Sequence, residues 1–402
     1  MIIGDEIKMK LKGDVKMKYR LATDVGNSTS KNIIFSYATG KKMAMRLKSV
    51  IAPVLVLPTF SEDDEAQAVA NLINNLVVHI VSPSVPVGLY AVDEKAIKTP
   101  NNRNMNIRTG SKHKHDIPVV MPLATIAAKA VQDHYASEQT LPDELDVTVN
   151  YSSAIPAREF TPEIARALEA RLKGNHIVTV YATSKPVKVN VSIEGVKVTQ
   201  EGIPATYAIV EGSDALLTEY RKKYDAITVN KDYAKKKLLL VDIGDGTTEF
   251  VYVANGKPDT DLSDGDRLGV GHAATSAKKL FDELTKTNIN MNRQQYMDAV
   301  LDSTHHYHKD AKHALEMANI QQAQAIAEFV QDMFLDKLAG NVDEIVVLGG
   351  GSATFKNSLQ QLLYDFAEEV GSKILWIPEK FAPNLNAIGL DILNEKLFYR
   401  GE

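Results

Sequence analysis

Short apolar runs broken by Gly, Asp and Asn recur along the chain, and they predict strands joined by tight turns. The most pronounced is LLLVDIGDGTTEFVYV at 238–253. It reads as a strand, a turn on Asp242, Gly244, Asp245, Gly246 and Thr247, and a second strand running back. Residues 19–37 repeat the construction, with Asp24-Val-Gly-Asn-Ser-Thr-Ser-Lys31 as the turn. Further strands are expected at 85–92, 146–150, 344–348 and 373–377, and from Ile177, Val187 and Val196, the last two parted by a turn at Glu194-Gly195. Asn255-Gly256 predicts another turn.

Helical periodicity fills the intervals. Ser61-Glu-Asp-Asp64 has the form of a capping box before a helix of roughly twenty residues ending near Val81. Ala124, Ala127, Ala128 and Val131 make a small-residue stripe in a helix expected over 118–135. Thr161-Pro162-Glu163 opens another, with Gly174 as its stop. More are expected over 207–224, 272–286, 293–303 and 309–338, and a closing one follows Pro383-Asn-Leu-Asn386-Ala-Ile-Gly389.

Composition narrows the class without changing that pattern. A length of 402 residues exceeds one compact core and suggests two domains. With 44% hydrophobic and 24% charged residues, the chain reads as an ordinary soluble protein. It has no cysteine, which excludes disulfides and Cys-ligated metals and suits a cytoplasmic location. The net charge of −5 argues against direct nucleic-acid binding. No run of eighteen apolar residues predicts a membrane span, and residues 1–18 lack the apolar centre of a secretory signal.

The turns carry the candidate chemistry. Their glycines bring bare amides close to a ligand, and successive amides form an anion-binding concavity. An acid at the mouth of an anion site makes sense with a metal ion between the two, so Asp24 and Asp242 point to Mg²⁺ and the amides to phosphate. One Asp-x-Gly hairpin alone is equally well an ordinary turn; its recurrence in both halves decides for a site. Lys31 can reach back to a phosphate as a point charge. Gly349-Gly350-Gly351-Ser352 joins an apolar strand directly to a helix, where backbone can approach a flat or phosphorylated ligand. GGGSAT lacks the third glycine of a dinucleotide fingerprint. His113 and His115, and the group His305, His306, His308 and His313, read as solvated, for they lack metal-site spacing.

Five features now stand in order: the hairpin at Asp24, strand–turn–helix at 148–163, the hairpin at Asp242, strand–Gly–helix at 345, and Asn-Ala-x-Gly at 386. Together they resemble the phosphate 1, connect 1, phosphate 2, adenosine and connect 2 motifs of the actin-like ATPases. Within that superfamily the chain resembles plasmid-segregation actins of the ParM type. IPAREF at 155–160, VKVTQEGIPATYAIV at 196–210, DGDRLGVGHAATSA at 264–277, VVLGGGSATF at 346–355 and the GSKHKHDIPVV loop carry the likeness. DIGDGTT is one residue longer than the tighter turn of some ParM proteins, and residues 1–18 are a further departure.

The resemblance implies an α/β, actin-like (ribonuclease H-like) duplicated fold with two lobes around a nucleotide cleft. It places an extension at 1–18, lobe I at 19–158 plus 384–402, and lobe II at 159–383. It implies ATP and Mg²⁺ as cofactors, with the metal on Asp24 and Asp242 and with Glu159, Asp242 and Asp24 as catalytic residues. Gly26, Asn27, Ser28, Thr29, Lys31, Gly244, Asp245, Gly246, Thr247, Thr248, Gly271, Gly349, Gly350, Gly351 and Ser352 are the implied nucleotide contacts. The implied activity is ATP hydrolysis coupled to self-assembly into filaments that segregate plasmid DNA through a DNA-binding adaptor, with no membrane partner. The alternative is a small-molecule kinase of the same superfamily, which needs an extra cleft acid as base. A chaperone ATPase is disfavoured, since only about a dozen residues follow Gly389.

Overall fold

The computed structural model describes residues 17–57, 64–105, 112–183, 185–286, 289, 291 and 293–400. Fifteen strands form two mixed sheets among these residues. The first holds β1 (Met17–Val25), β2 (Thr29–Ser36), β3 (Lys41–Lys48), β4 (Val50–Val54), β5 (Val77–Val81), β6 (Gly88–Val92), β7 (Arg103–Asn104), β8 (Glu144–Ile155), β9 (Gly174–Val180) and β10 (Val187–Gln200). The second holds β11 (Lys237–Ile243), β12 (Thr248–Ala254), β13 (Lys257–Asp266), β14 (Glu344–Leu348) and β15 (Lys373–Trp376).

The two sheets share a plan. The second runs β13-β12-β11-β14-β15, and five neighbours of the first run β3-β2-β1-β8-β10. In each, three antiparallel strands form a meander, its first strand pairs in parallel with a fourth, and the fourth pairs in parallel with a fifth. The repeated hairpin of the sequence is therefore the visible part of a repeated five-strand unit. The first sheet is extended beyond β10 by β9, β5, β6, β4 and β7.

Apolar side chains of β1, β8 and β10, among them Leu21, Val147, Val149, Val189 and Val191, pack with the fully apolar face of the helix Ile117–Glu138. Beneath the second sheet, Val241, Phe250, Ile345 and Val347 pack on the helices His308–Asp332 and Lys356–Glu369.

After the fifth strand of each unit comes a short helix, Ile203–Glu211 in one half and Leu385–Leu393 in the other, and the two pack against each other. They touch backbone to backbone. A Cβ on Gly389 would lie 1.7 Å from the Pro204 carbonyl oxygen, so only glycine permits this crossing.

Several expectations need correction. Strand β1 starts at Met17, two residues earlier than read, while residues 1–16 lie outside the described set. The capping-box residues Ser61, Glu62 and Asp63 also lie outside it; Asp64 does cap a helix, but that helix covers only Glu65–Ala70. Its expected continuation is strand β5, whose Val77, Val78 and Ile80 are buried and which pairs with β6 and β9. Glu194-Gly195 is a bulge inside one long strand, not a turn between two. A Cβ on Gly195 would meet the Tyr399 ring at 2.5 Å, which is why glycine stands there. The helix expected over 207–224 breaks after Glu211 and resumes at Thr218. The division expected at 159 falls inside the first sheet: β9 and β10 pair with β5 and β8, so the sheets part between Gln200 and Lys237.

Candidate functional site

The two hairpin turns are built alike. The Gly26 N–H donates to the Thr29 carbonyl at 3.1 Å, and the Gly244 N–H donates to the Thr247 carbonyl at 2.9 Å. A Cβ on Gly26 or Gly244 would lie 2.8 or 3.0 Å from that same threonine oxygen, so each turn closes around a bare α-carbon. Asp-x-Gly-x-x-Thr thus folds into one structure twice.

Both turns border a single cavity of about 400 Å³. The first contributes Asp24, Gly26, Asn27, Ser28 and Lys31, the second Asp242, Gly244, Asp245 and Thr247, and Glu159 enters from the side. Asp24 and Asp242, one from each turn, both line this cavity.

Thr29, Gly246, Thr248, Gly271, Gly349, Gly350, Gly351 and Ser352 are not among the lining residues. Several are spent on holding the turns. The Thr248 hydroxyl donates to the Leu268 carbonyl at 3.1 Å, and the Ser352 hydroxyl to the Gly349 carbonyl at 2.8 Å. The Gly271 N–H donates to the Asp245 carbonyl at 2.7 Å, seating the helix Val270–Thr285 on the second turn. Gly349, at φ +87°, makes room for Asp242, whose Oδ1 would lie 2.3 Å from a Cβ there. Gly350 alone of the triplet is exposed.

Side chains that sequence reasoning missed complete the site. Lys112, 5% exposed, donates from Nζ to Glu201 Oε1 at 2.8 Å and to the Ala154 carbonyl at 2.9 Å. Its backbone N–H donates to Glu159 Oε2 at 2.8 Å. Glu201 stands between β10 and the helix Ile203–Glu211. Glu249 lies directly across the ladder from Asp242. Asn386 donates from Nδ2 to Asp242 Oδ2 at 2.8 Å; Lys31, which the sequence did single out, has its Nζ 3.1 Å from Asp24 Oδ2. Arg158 reaches from the first half to the Gly265 carbonyl of the second at 2.5 Å. His115, read as solvated, also lines the cavity.

Two signals were available. An acid interrupts the otherwise apolar run of β12 at Glu249, and Glu201 opens the helix that duplication pairs with the one bearing Asn386. Lys112 sat in a polar loop and gave no sign of being buried.

The cavity is acidic: seven carboxylates, from Asp24, Glu159, Glu201, Asp242, Asp245, Glu249 and Asp266, face four Lys or Arg side chains. Burial first, then the charges of Glu201 and Asp24, push Asp242 up to about 7. Burial and then Glu201 push Glu249 up to about 8. Burial raises Glu201 as well, against the pull of the Lys112 ammonium. Burial draws Lys112 down, but Glu201 and Asp24 outweigh it and the amine sits above its usual range. Such a site favours positive charge.

Residues 240–361, which begin within β11 and run past the glycine triplet, match the family model described as archaeal actin homologue MreB-like, C-terminal. No curated protein sequence matches the chain. Among solved structures it is similar to the actin-like protein Alp7A, at 16% identity and TM-score 0.63, over 94% of this chain and 96% of that one. It is similar to Bacillus thuringiensis ParM with ATP, at 17% identity and TM-score 0.59, over 94% and 98%. A 15-stranded ParM filament from Clostridium botulinum matches at 19% identity and TM-score 0.60, over 93% and 97%. The fold is actin-like.

Proposed function

We propose that this protein is an ATP-hydrolysing actin that polymerises with itself, the cleft between its two halves being the nucleotide site. The observation that carries the reading is the pair of identical Asp-x-Gly-x-x-Thr turns bordering one acidic cavity. Amides and hydroxyls of 27–29 and 244–247, with Lys31, are suited to the β- and γ-phosphates. Exposed Gly350, between Gly349 and Gly351, offers backbone to a flat base, with Gly271 and Ser352 supporting that wall.

The donor set fits Mg²⁺: hard oxygen ligands, an aspartate carboxylate from each half lining the cavity, and an excess of acid. Asp24 and Asp242 would hold the ion, mostly through water, and its charge would offset that of the phosphates. The chain's own contribution to hydrolysis is positioning. Glu159, named above as catalytic, lines the cavity and accepts from the Lys112 N–H through Oε2, and Glu201 accepts from Lys112 Nζ through Oε1, so each keeps a second oxygen for a water. Glu201, whose charge is felt at both Asp242 and Glu249, is better placed to accept a hydrogen bond from the attacking water.

The filament and ATP named for two of the similar structures support self-assembly driven by ATP. Nucleotide shifts assembly only by binding the two conformations unequally. A net charge of −5 supports a DNA-binding adaptor rather than direct contact with plasmid DNA. No helix of the described residues is long and apolar enough to cross a membrane.

The test is phosphate release from Glu201→Ala beside Glu159→Ala, with ATP and no added acceptor. Glu201→Ala should slow release by about 10²–10⁴-fold, and Glu159→Ala by less. Equal rates for Glu201→Ala and wild type would remove Glu201 from the mechanism, and phosphate appearing only with a sugar or acid acceptor would turn the reading to a kinase.

A further inference from the structure

We infer that Lys112 is a positioning residue of this site: its ammonium sets the carboxylate of Glu201 while its backbone N–H sets that of Glu159. The assignment rests on the hydrolytic function above and adds which group arranges the acids. Lys112 Nζ donates to Glu201 Oε1 at 2.8 Å and to the Ala154 carbonyl at 2.9 Å, and the Lys112 N–H donates to Glu159 Oε2 at 2.8 Å. The three acceptors sit where the adjacent parallel strands β8 and β10 end. Ala154 is the last residue but one of β8, Glu159 closes the short turn after it, and Glu201 follows β10 directly. The Glu201 N–H also donates to the Ile155 carbonyl at 2.8 Å, so its backbone is fixed before its side chain is.

A lysine is a costly choice for this place. Its side chain is 5% exposed, and a buried ammonium is stable only where other groups replace its hydration. An apolar side chain would fill the same space at lower cost, but it would hold no carboxylate. The backbone that carries the lysine is fastened by a second cation. Arg171, on the helix Pro162–Leu172, donates to the carbonyls of His113 at 2.5 Å, His115 at 2.7 Å and Ser84 at 3.0 Å. Arg171 is not a lining residue of the cavity, so its part is to hold the turn Lys112–Lys114 in place.

Held this way, the two acids lose the freedom that would spoil their aim. A glutamate side chain turns about three bonds, and lining a cavity does not choose among its rotamers. With Oε1 of Glu201 and Oε2 of Glu159 each tied to Lys112, the remaining oxygen of each acid has one place to be. Glu159, Glu201 and Lys112 all line the cavity, so that place is beside the ligand. Phosphoryl transfer depends chiefly on positioning, and a misplacement of about 1 Å is enough to cost about 10²-fold in rate.

The experiment measures steady-state phosphate release and thermal melting for Lys112→Met, Glu201→Gln and the double variant beside wild type. Lys112→Met should lower kcat about 10²-fold with KM for ATP within about twofold, because the acids lose their aim while both phosphate-binding turns are untouched. The double variant removes cation and anion together, leaving neither unpaired, and should melt above Lys112→Met. Its kcat should match that of Glu201→Gln within about twofold, since a lysine that acts through Glu201 has nothing left to position. That comparison decides the question even where Lys112→Met alone does not fold. A Lys112→Met protein that melts lower yet keeps the wild-type kcat would make the lysine a structural anchor and overturn the assignment. So would a rise in KM at unchanged kcat, or a double variant slower than Glu201→Gln by about tenfold or more. Wild-type protein that releases no phosphate would instead overturn the proposed function itself.

Discussion

Burial favours the protonated form of a carboxylate, and in two residues of this cleft it outweighs the nearby cations. Asp242 and Glu249 are raised from 3.8 and 4.5 to about 7 and about 8, chiefly by burial. Between those unfolded and folded values the native protein binds protons that the unfolded chain has released. Their contribution to stability is therefore full below about pH 4, and it is lost as pH rises through about 7 to 8. Melting of the nucleotide-free protein should thus fall from about pH 5 to about pH 8, and Glu249→Gln should flatten the slope. A melting temperature that rises over that range in wild type, or an unchanged slope in the variant, would contradict this account of the two acids.

At the scale of elements, two kinds of contact hold the halves to their task. The turns close by one hydrogen bond each around a glycine, and the crossing helices meet at Gly389 and Pro204. Gly389→Ala forces a methyl into the Pro204 carbonyl and should destabilise by about 1–3 kcal/mol in denaturant unfolding. Thr161→Ala removes an N-cap whose Oγ1 accepts from the Ile164 N–H at 3.2 Å, and should cost about 1 kcal/mol. If Gly389→Ala unfolds at the wild-type midpoint, the close helix crossing is not what joins the halves.

These elements also show what the sequence can disclose. The hairpins were legible because turn chemistry is local: Asp24-Val-Gly26 and Asp242-Ile-Gly244 state their geometry within six residues. The helix cap at Thr161 and the strand before Gly349 were legible for the same reason. Lys112 and Glu201 were not, since their meaning comes from a contact between chain positions 89 residues apart. The strand β5 was misread as helix because a short apolar run fits both periods until its neighbours in the sheet are known. Thr248 and Ser352 were assigned to the ligand by type, whereas packing turned both hydroxyls onto backbone carbonyls.

The whole molecule is a doubled unit. Each half brings the same five-strand order and the same turn to one cavity, and each supplies one aspartate to its lining. Neither half alone makes a closed site, so a ligand spanning both senses their separation. Hydrogen bonds from Arg158 to the Gly265 carbonyl and from Thr260 to Gln200 cross between the halves. A triphosphate held by both turns would favour one separation over others, and a polymer that accepts only that separation would form with it. The most direct measurement is high-speed sedimentation of the wild-type protein in Mg²⁺ with ATP, with ADP and with neither, phosphate being assayed in the same tubes. The account predicts pelleted filaments with ATP, followed by phosphate release and loss of the pellet, and little pellet in the other two. Equal sedimentation in all three, with no phosphate formed, would contradict it.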